Sequence, residues 1–131
     1  MPNPTISRGQ LETILLVEDN DILRELLSAG LQSSGYEVLP ATNSTAAANI
    51  CKCHRGPIHL LLTDVIMPGV SGTDLAKQVL PIRPRMKVLY MSGLSANEVS
   101  DIPPRDIRTH FIGKPFNLCD LTSKIQKLLG S

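Results

Sequence analysis

The stretch HLLLTDVIMPGVSG, residues 59–72, decides how the rest of the chain is read. Its leucine run is apolar throughout and short, as in a strand covered on both faces within a parallel sheet. Asp64 stands at the end of that run. A lone ionised carboxylate is costly to desolvate. Asp64 therefore either surfaces at the strand's end with nothing to do or meets a compensating partner there. The MPGVSG that follows is turn chemistry, with Pro68, Gly69 and Gly72 ending the strand.

Working outward, the same unit recurs. TILLV, from Thr13, is a second apolar run of strand length, and EDND after it supplies acids and candidate helix caps. In ILRELLSAGLQSSG, residues Ile22, Leu23, Leu26, Leu27 and Leu31 fall at helical spacing, and Gly35 suits a stop just past the helix end. YEVLPA is another short strand. Thr42 and Asn43 can cap a helix over STAAANICK, which Arg55, Gly56 and Pro57 break. IHLLLT is more apolar than YEVLPA, which predicts a central position for it. TDLAKQVL is helical and is closed by Pro81 and Pro84, and MKVLYMS is a fourth strand. SANEVS can start a helix, but Ile102, Pro103 and Pro104 stop it early, because proline lacks the N–H and disfavours helix in the residue before it. THFIG is a fifth strand. NLCDLTSKIQKLL carries Leu118, Leu121, Ile125, Leu128 and Leu129 at helical spacing, with Asn117 able to cap. Five alternations with short connections predict an α/β domain: a doubly wound parallel sheet with helices on both faces and right-handed crossovers. Ligands in such folds bind at the carboxyl ends of the strands.

The length of 131 residues suits one domain, and a charged fraction of 19% beside an apolar fraction of 42% describes a globular chain. With no Trp, two Phe and two Tyr the core must be aliphatic, and an aromatic stacking face for nucleic acid is not expected. A net charge of +1, with scattered Lys and Arg, gives no bulk attraction to a polyanion. No apolar run reaches membrane-spanning length, and residues 1–12 lack the apolar core of a secretion signal, so they read as a flexible leader or linker. The three cysteines include two in CKCH at 51–54, but no second ligand pair stands at zinc spacing. Reduced thiols in the cytoplasm are the expectation.

The outstanding polar residues all follow strands. Glu18 and Asp19 follow the first, Asp64 the third, Ser92 the fourth and Lys114 the fifth. Singly, each has an ordinary explanation as a cap, a solvated hydroxyl or a surface charge. In a parallel sheet, however, all of them open onto one edge. Three crowded carboxylates repel and take up protons unless a cation joins them. With hard oxygens and no thiolate or His cluster, Mg2+ is favoured, bound by carboxylates and a phosphate oxygen. A carboxylate nucleophile with a metal, an ammonium and a hydroxyl around it is equipment for phosphoryl transfer to Asp64.

At these residues the chain resembles the receiver domains of two-component response regulators, either those at the ends of hybrid sensor histidine kinases or, equally, a stand-alone regulator. LLVEDN carries the acidic pair, LLTDVIMPGVSG the phosphoacceptor motif, LYMSG the switch hydroxyl and GKPF the lysine. The resemblance covers residues 13–129, with 1–12 left as leader. It implies a flavodoxin-like (βα)5 fold with strand order 2-1-3-4-5. It implies that Asp64 accepts phosphate from a histidine kinase or a histidine phosphotransfer protein. Mg2+ would be held by Asp19, Asp64, the Ile66 carbonyl and, through water, Glu18. Ser92 and Lys114 would pair the phosphate, and Pro115 would follow in a cis bond. Phe111 occupies the aromatic switch position, where it can swing inward but cannot make a phenolic hydrogen bond. Met67, Pro68, Gly69 and Gly72 would shape the loop.

The resemblance further implies a cytoplasmic signalling domain that promotes its own phosphorylation and dephosphorylation and acts on a downstream protein. Direct contact with nucleic acid or a membrane is not expected. The Pro103 and Pro104 pair departs from the family pattern, at the helix between the fourth and fifth strands. Three other readings fit less well. A phosphatase using an aspartyl phosphate commonly carries an acid where this chain has Ile66. A flavin-binding domain wants a small-residue phosphate loop where EDND stands, and a bare binding scaffold does not need the full residue set.

Overall fold

The computed structural model describes residues 11–65, 71–92, 109–113 and 116–129, with the side chains of Ser92 and Thr109 outside that set. The strands are β1 (Thr13–Val17), β2 (Glu37–Ala41), β3 (Leu60–Asp64), β4 (Lys87–Ser92) and β5 (Thr109–Gly113). The helices are α1 (Asp21–Ser33), α2 (Ser44–Cys53), α3 (Gly72–Val79) and, at the C-terminal end, α4 (Leu118–Leu129). The Pro103 and Pro104 pair lies outside the described residues.

All strand pairs are parallel and the order is β2-β1-β3-β4-β5, as the family resemblance implies. Beside the central strand β3 lie β1 and β4, and all five residues of β1 and of β3 are buried. Side chains alternate between the two faces of a strand. Leu15, Val17 and Leu61 therefore enter the core under α2 and α3, with Ala47, Cys51, Leu75 and Val79. Ile14, Leu16, Leu60 and Leu62 enter the core under α1 and α4, with Leu27, Leu31, Leu121 and Ile125. Pro40 is tolerated in β2 because that strand lies at the sheet's edge and pairs on one side only.

Local chemistry sets the helix ends. Asn20, Asn43 and Ser71 each accept the amide three residues on, from Leu23, Ala46 and Asp74, and Asn117 accepts from Asp120 at 2.7 Å. Helix α1 closes as a Schellman motif. Gly35 has φ +101° and donates to the Gln32 carbonyl, while Tyr36 donates to the Leu31 carbonyl. Helix α3 begins at Gly72, one residue before the sequence boundary. The apolar stripe of α1 divides: Leu27 and Leu31 are buried and Leu23 packs beside them, but Ile22 and Leu26 are 72% and 65% exposed.

Candidate functional site

The end of β1 and the end of β3 lie side by side. Val17 is in register with Thr63, so the residues that follow, Glu18 and Asp64, are neighbours across two central strands. Both are almost fully buried, at 2% and 5% exposed, while Asp19 is exposed at the rim. Carboxylate oxygens of Glu18, Asp19 and Asp64 lie within 4.8 Å of one another. Asp64 is thus buried at the strand's end in the company of two other acids, and Lys114, the cation expected to compensate it, lies outside the described residues.

The company is electrostatically awkward. Glu18 Oε2 accepts the Asn20 amide at 3.1 Å, whereas Oε1 is buried and receives no hydrogen bond. Burial, followed by the adjacent Asp64 carboxyl, raises the Glu18 pKa to about 7. Ionised, the group carries one orphaned buried oxygen beside another carboxyl, and protonated, it can donate to Asp64. A proton or a cation between the acids would relieve the repulsion.

The backbone around Asp64 is tightly built. Thr63 Oγ1 donates to the Asp64 carbonyl at 3.1 Å, the Val65 amide bonds the Met91 carbonyl, and the Gly72 amide bonds the Val65 carbonyl at 2.8 Å. Gly72 passes so close that an added Cβ would stand 2.0 Å from the Asp64 carbonyl oxygen. The strand β4 backbone brings Ser92 to the same edge, since Met91 is the register partner of Asp64. Ser92 in turn pairs with Gly113 at the end of β5. Phe111 is half-buried on β5 and stacks on Tyr90, with ring centroids 5.3 Å apart. The Ser92 side chain and residues Ile66, Met67, Pro68, Gly69, Lys114 and Pro115 lie outside the described residues.

The CKCH stretch forms no ligand pair. Two residues apart on a helix, side chains point to different sides, and Cys51 is buried in the core while Cys53 is exposed. Among the described residues the acid trio is the one group of potential metal ligands. Two supporting residues escaped the sequence: Arg24, whose guanidinium reaches the Glu18 carbonyl, and Thr63. A basic residue six positions after the acid, on the first turn of the following helix, was the signal available for Arg24.

Comparison with known proteins agrees with this geometry. The response regulator receiver protein CpdR of Brucella abortus is 36% identical over 122 residues, covering 91% of this chain and 98% of CpdR. The sensor kinase CckA of the same organism is 32% identical over 117 residues, 89% of this chain but 12% of the kinase. Among solved structures, the response regulator TrrA of Thermotoga maritima, in complex with Mg2+ and BeF, superposes with TM-score 0.75 at 31% identity. It covers 91% of this chain and all of TrrA. The model of the response regulator receiver domain matches residues 14–126, and this chain belongs to that family of two-component signalling domains.

Proposed function

We propose that Asp64 is the phosphoacceptor of this receiver domain, taking a phosphoryl group from the phosphohistidine of a kinase or a phosphotransfer protein. The observation that carries the reading is the convergence of three carboxylates, two of them buried, at the carboxyl edge of the sheet. An Asp64 carboxylate oxygen bonds to phosphorus as the phosphorus–nitrogen bond breaks. The departing imidazole keeps that electron pair and takes up a proton. The product is an acyl phosphate on the enclosed end of β3.

Glu18, Asp19, Asp64 and the Ile66 carbonyl would hold Mg2+, and the orphaned Glu18 Oε1 fits a hard cation of that kind. When bound, the ion neutralises repulsion between the acids and the phosphoryl oxygens. The chain's own part is positioning. Asp64 is buried at the strand's end, and the Thr63 hydroxyl and the close-packed Gly72 backbone hold its carbonyl. Ser92 and Lys114 would serve the phosphate as donor and cation, with Pro115 following the lysine in sequence. The same pocket serves autophosphorylation by small donors and later hydrolysis.

Phosphorylation adds nearly two negative charges and strong acceptor oxygens at the strand edge. Ser92 and Phe111 then respond as a switch, shifting the domain surface between two populations read by a downstream protein. The exposed Ile22 and Leu26 stand one turn apart on α1, and Leu118 lies over Gly30, one turn further along. This apolar stripe starts beside the acid pocket and suits the docking of the phosphodonor. Residues 13–129 are the receiver unit and 1–12 its leader. The cytoplasm is its setting, which the three free thiols suit.

An acyl phosphate such as acetyl phosphate, supplied with Mg2+, is expected to add one phosphoryl group to the wild-type chain and none to Asp64→Asn, read by intact mass. Equal labelling of the two proteins overturns the assignment.

A further inference from the structure

Arg24 stands in the first turn of α1, and one guanidinium nitrogen, Nη2, pairs with Asp21 Oδ1 at 2.6 Å. Such an i,i+3 pair with an exposed partner is a weak surface contact in itself, and Asp21 is 77% exposed. The other nitrogen, Nη1, does something the ion pair does not require. It turns back across the helix N-terminus and donates to the Glu18 backbone carbonyl at 2.8 Å. The Arg24 side chain is only 18% exposed, so this charge-assisted bond is largely shielded from water.

The Glu18 carbonyl shares a rigid planar peptide unit with the Asp19 amide. Holding that oxygen therefore fixes where the Asp19 residue begins and which way it departs. Asp19 is exposed, so side-chain packing does not orient its carboxylate, and the backbone must. On the other side of the same turn, the Asn20 amide holds Glu18 Oε2 and the Asn20 side chain caps α1 on the Leu23 amide. The Arg24 amide also bonds the Asn20 carbonyl. The turn from Glu18 to Asp21 is thus clamped from the helix that follows it.

We infer that Arg24 is a positioning residue for the acid pocket: its bond to the Glu18 carbonyl sets the Glu18–Asp19 peptide so that both carboxylates converge on Asp64. This rests on the reading of that pocket as a cation site. Partners that orient metal ligands from behind typically contribute ten- to a hundredfold in affinity.

The test uses the full chain and four proteins: wild type, Arg24→Met, Arg24→Lys and Asp21→Ala. Methionine keeps an unbranched stem for packing while removing the guanidinium. Mg2+ alone is titrated by calorimetry, and amide hydrogen exchange is followed without metal. Arg24→Met is expected to bind Mg2+ about tenfold more weakly or worse. Its Asn20 amide, which bonds Glu18 Oε2, should exchange faster, while the strand amides keep their protection. Arg24→Lys should fall between it and wild type, and Asp21→Ala should stay within about twofold of wild type. Wild-type affinity in Arg24→Met, or equal losses in Arg24→Met and Asp21→Ala, overturns the inference. If the wild type itself fails to bind Mg2+, the cation reading falls. The exchange data then decide the clamp separately, and unchanged Asn20 protection in both Arg24 variants refutes it.

Discussion

Replacing Gly72 by alanine tests how closely Asp64, the proposed phosphoacceptor, is held. The backbone dihedrals at Gly72 are helical and would accept any residue, so the whole effect comes from space. The new methyl carbon would lie 2.0 Å from the Asp64 carbonyl oxygen and 3.0 Å from its carbonyl carbon, where ordinary contact begins near 3.4 Å. Both obstacles are backbone, and no side-chain rotation relieves them. Either the end of β3 or the start of α3 must retreat by more than about 1 Å, and overpacking of this kind costs about 1–3 kcal/mol. A displacement of about 1 Å at a reacting group can slow the reaction about a hundredfold. Gly72→Ala should therefore lose about 2 kcal/mol in urea unfolding and label with acetyl phosphate and Mg2+ about a hundredfold more slowly than wild type. Gly35→Ala is the control. It strains a positive φ of 101° but meets nothing within 4 Å. It should lose about 1–2 kcal/mol and label at the wild-type rate. If Gly72→Ala labels at the wild-type rate, or if Gly35→Ala slows labelling as much, the contact does not position Asp64.

Two further predictions concern charge. The unfolded chain releases the Glu18 proton near 4.5 and the folded chain holds it up to about 7. In metal-free protein the folded state thus binds more protons across that window, and stability falls as pH rises through it. The loss from this group is on the order of 3 kcal/mol. Urea unfolding of Glu18→Gln should show a flatter pH profile and higher stability than wild type at pH 8, and parallel profiles would exclude Glu18 as the source. At the opposite edge of the sheet, Arg83 donates to the carbonyls of Cys51, Gly56 and His54 at 3.1, 2.5 and 2.6 Å, closing the end of α2. Arg83→Ala should cost about 2–3 kcal/mol and leave acetyl phosphate labelling unchanged. A slower labelling rate would show that this edge communicates with the pocket.

Much of the fold could be read without coordinates because its signals are local. The runs ILLV and LLL are apolar at every position since both faces of a central parallel strand are covered, and the structure buries them together with Thr13, Thr63 and Asp64. Asn20, Asn43 and Asn117 announced three helix starts, and Gly35 announced a helix end, through bonds that span only a few residues. Other features misled or stayed silent for an equally physical reason. Ile22 and Leu26 satisfy the period of a buried helix face, yet α1 lies so that its inward side runs through Leu27 and Leu31. Periodicity reports that a face exists and leaves the angle of its docking undetermined.

By itself, then, the sequence determined the alternation of the described strands and helices, several of their caps, and the placement of every acidic candidate at a strand's carboxyl end. These follow from backbone sterics, hydrogen-bond satisfaction and hydrophobic period, all of which act over one or two turns of chain. Only the tertiary structure decided that Glu18 and Asp64 become buried neighbours, that Gly72 presses on the Asp64 carbonyl, and that Arg24 clamps the acid-bearing turn. Those contacts depend on strand register and on how each helix seats on the sheet. The whole core sets such quantities at once, and no short segment encodes them alone.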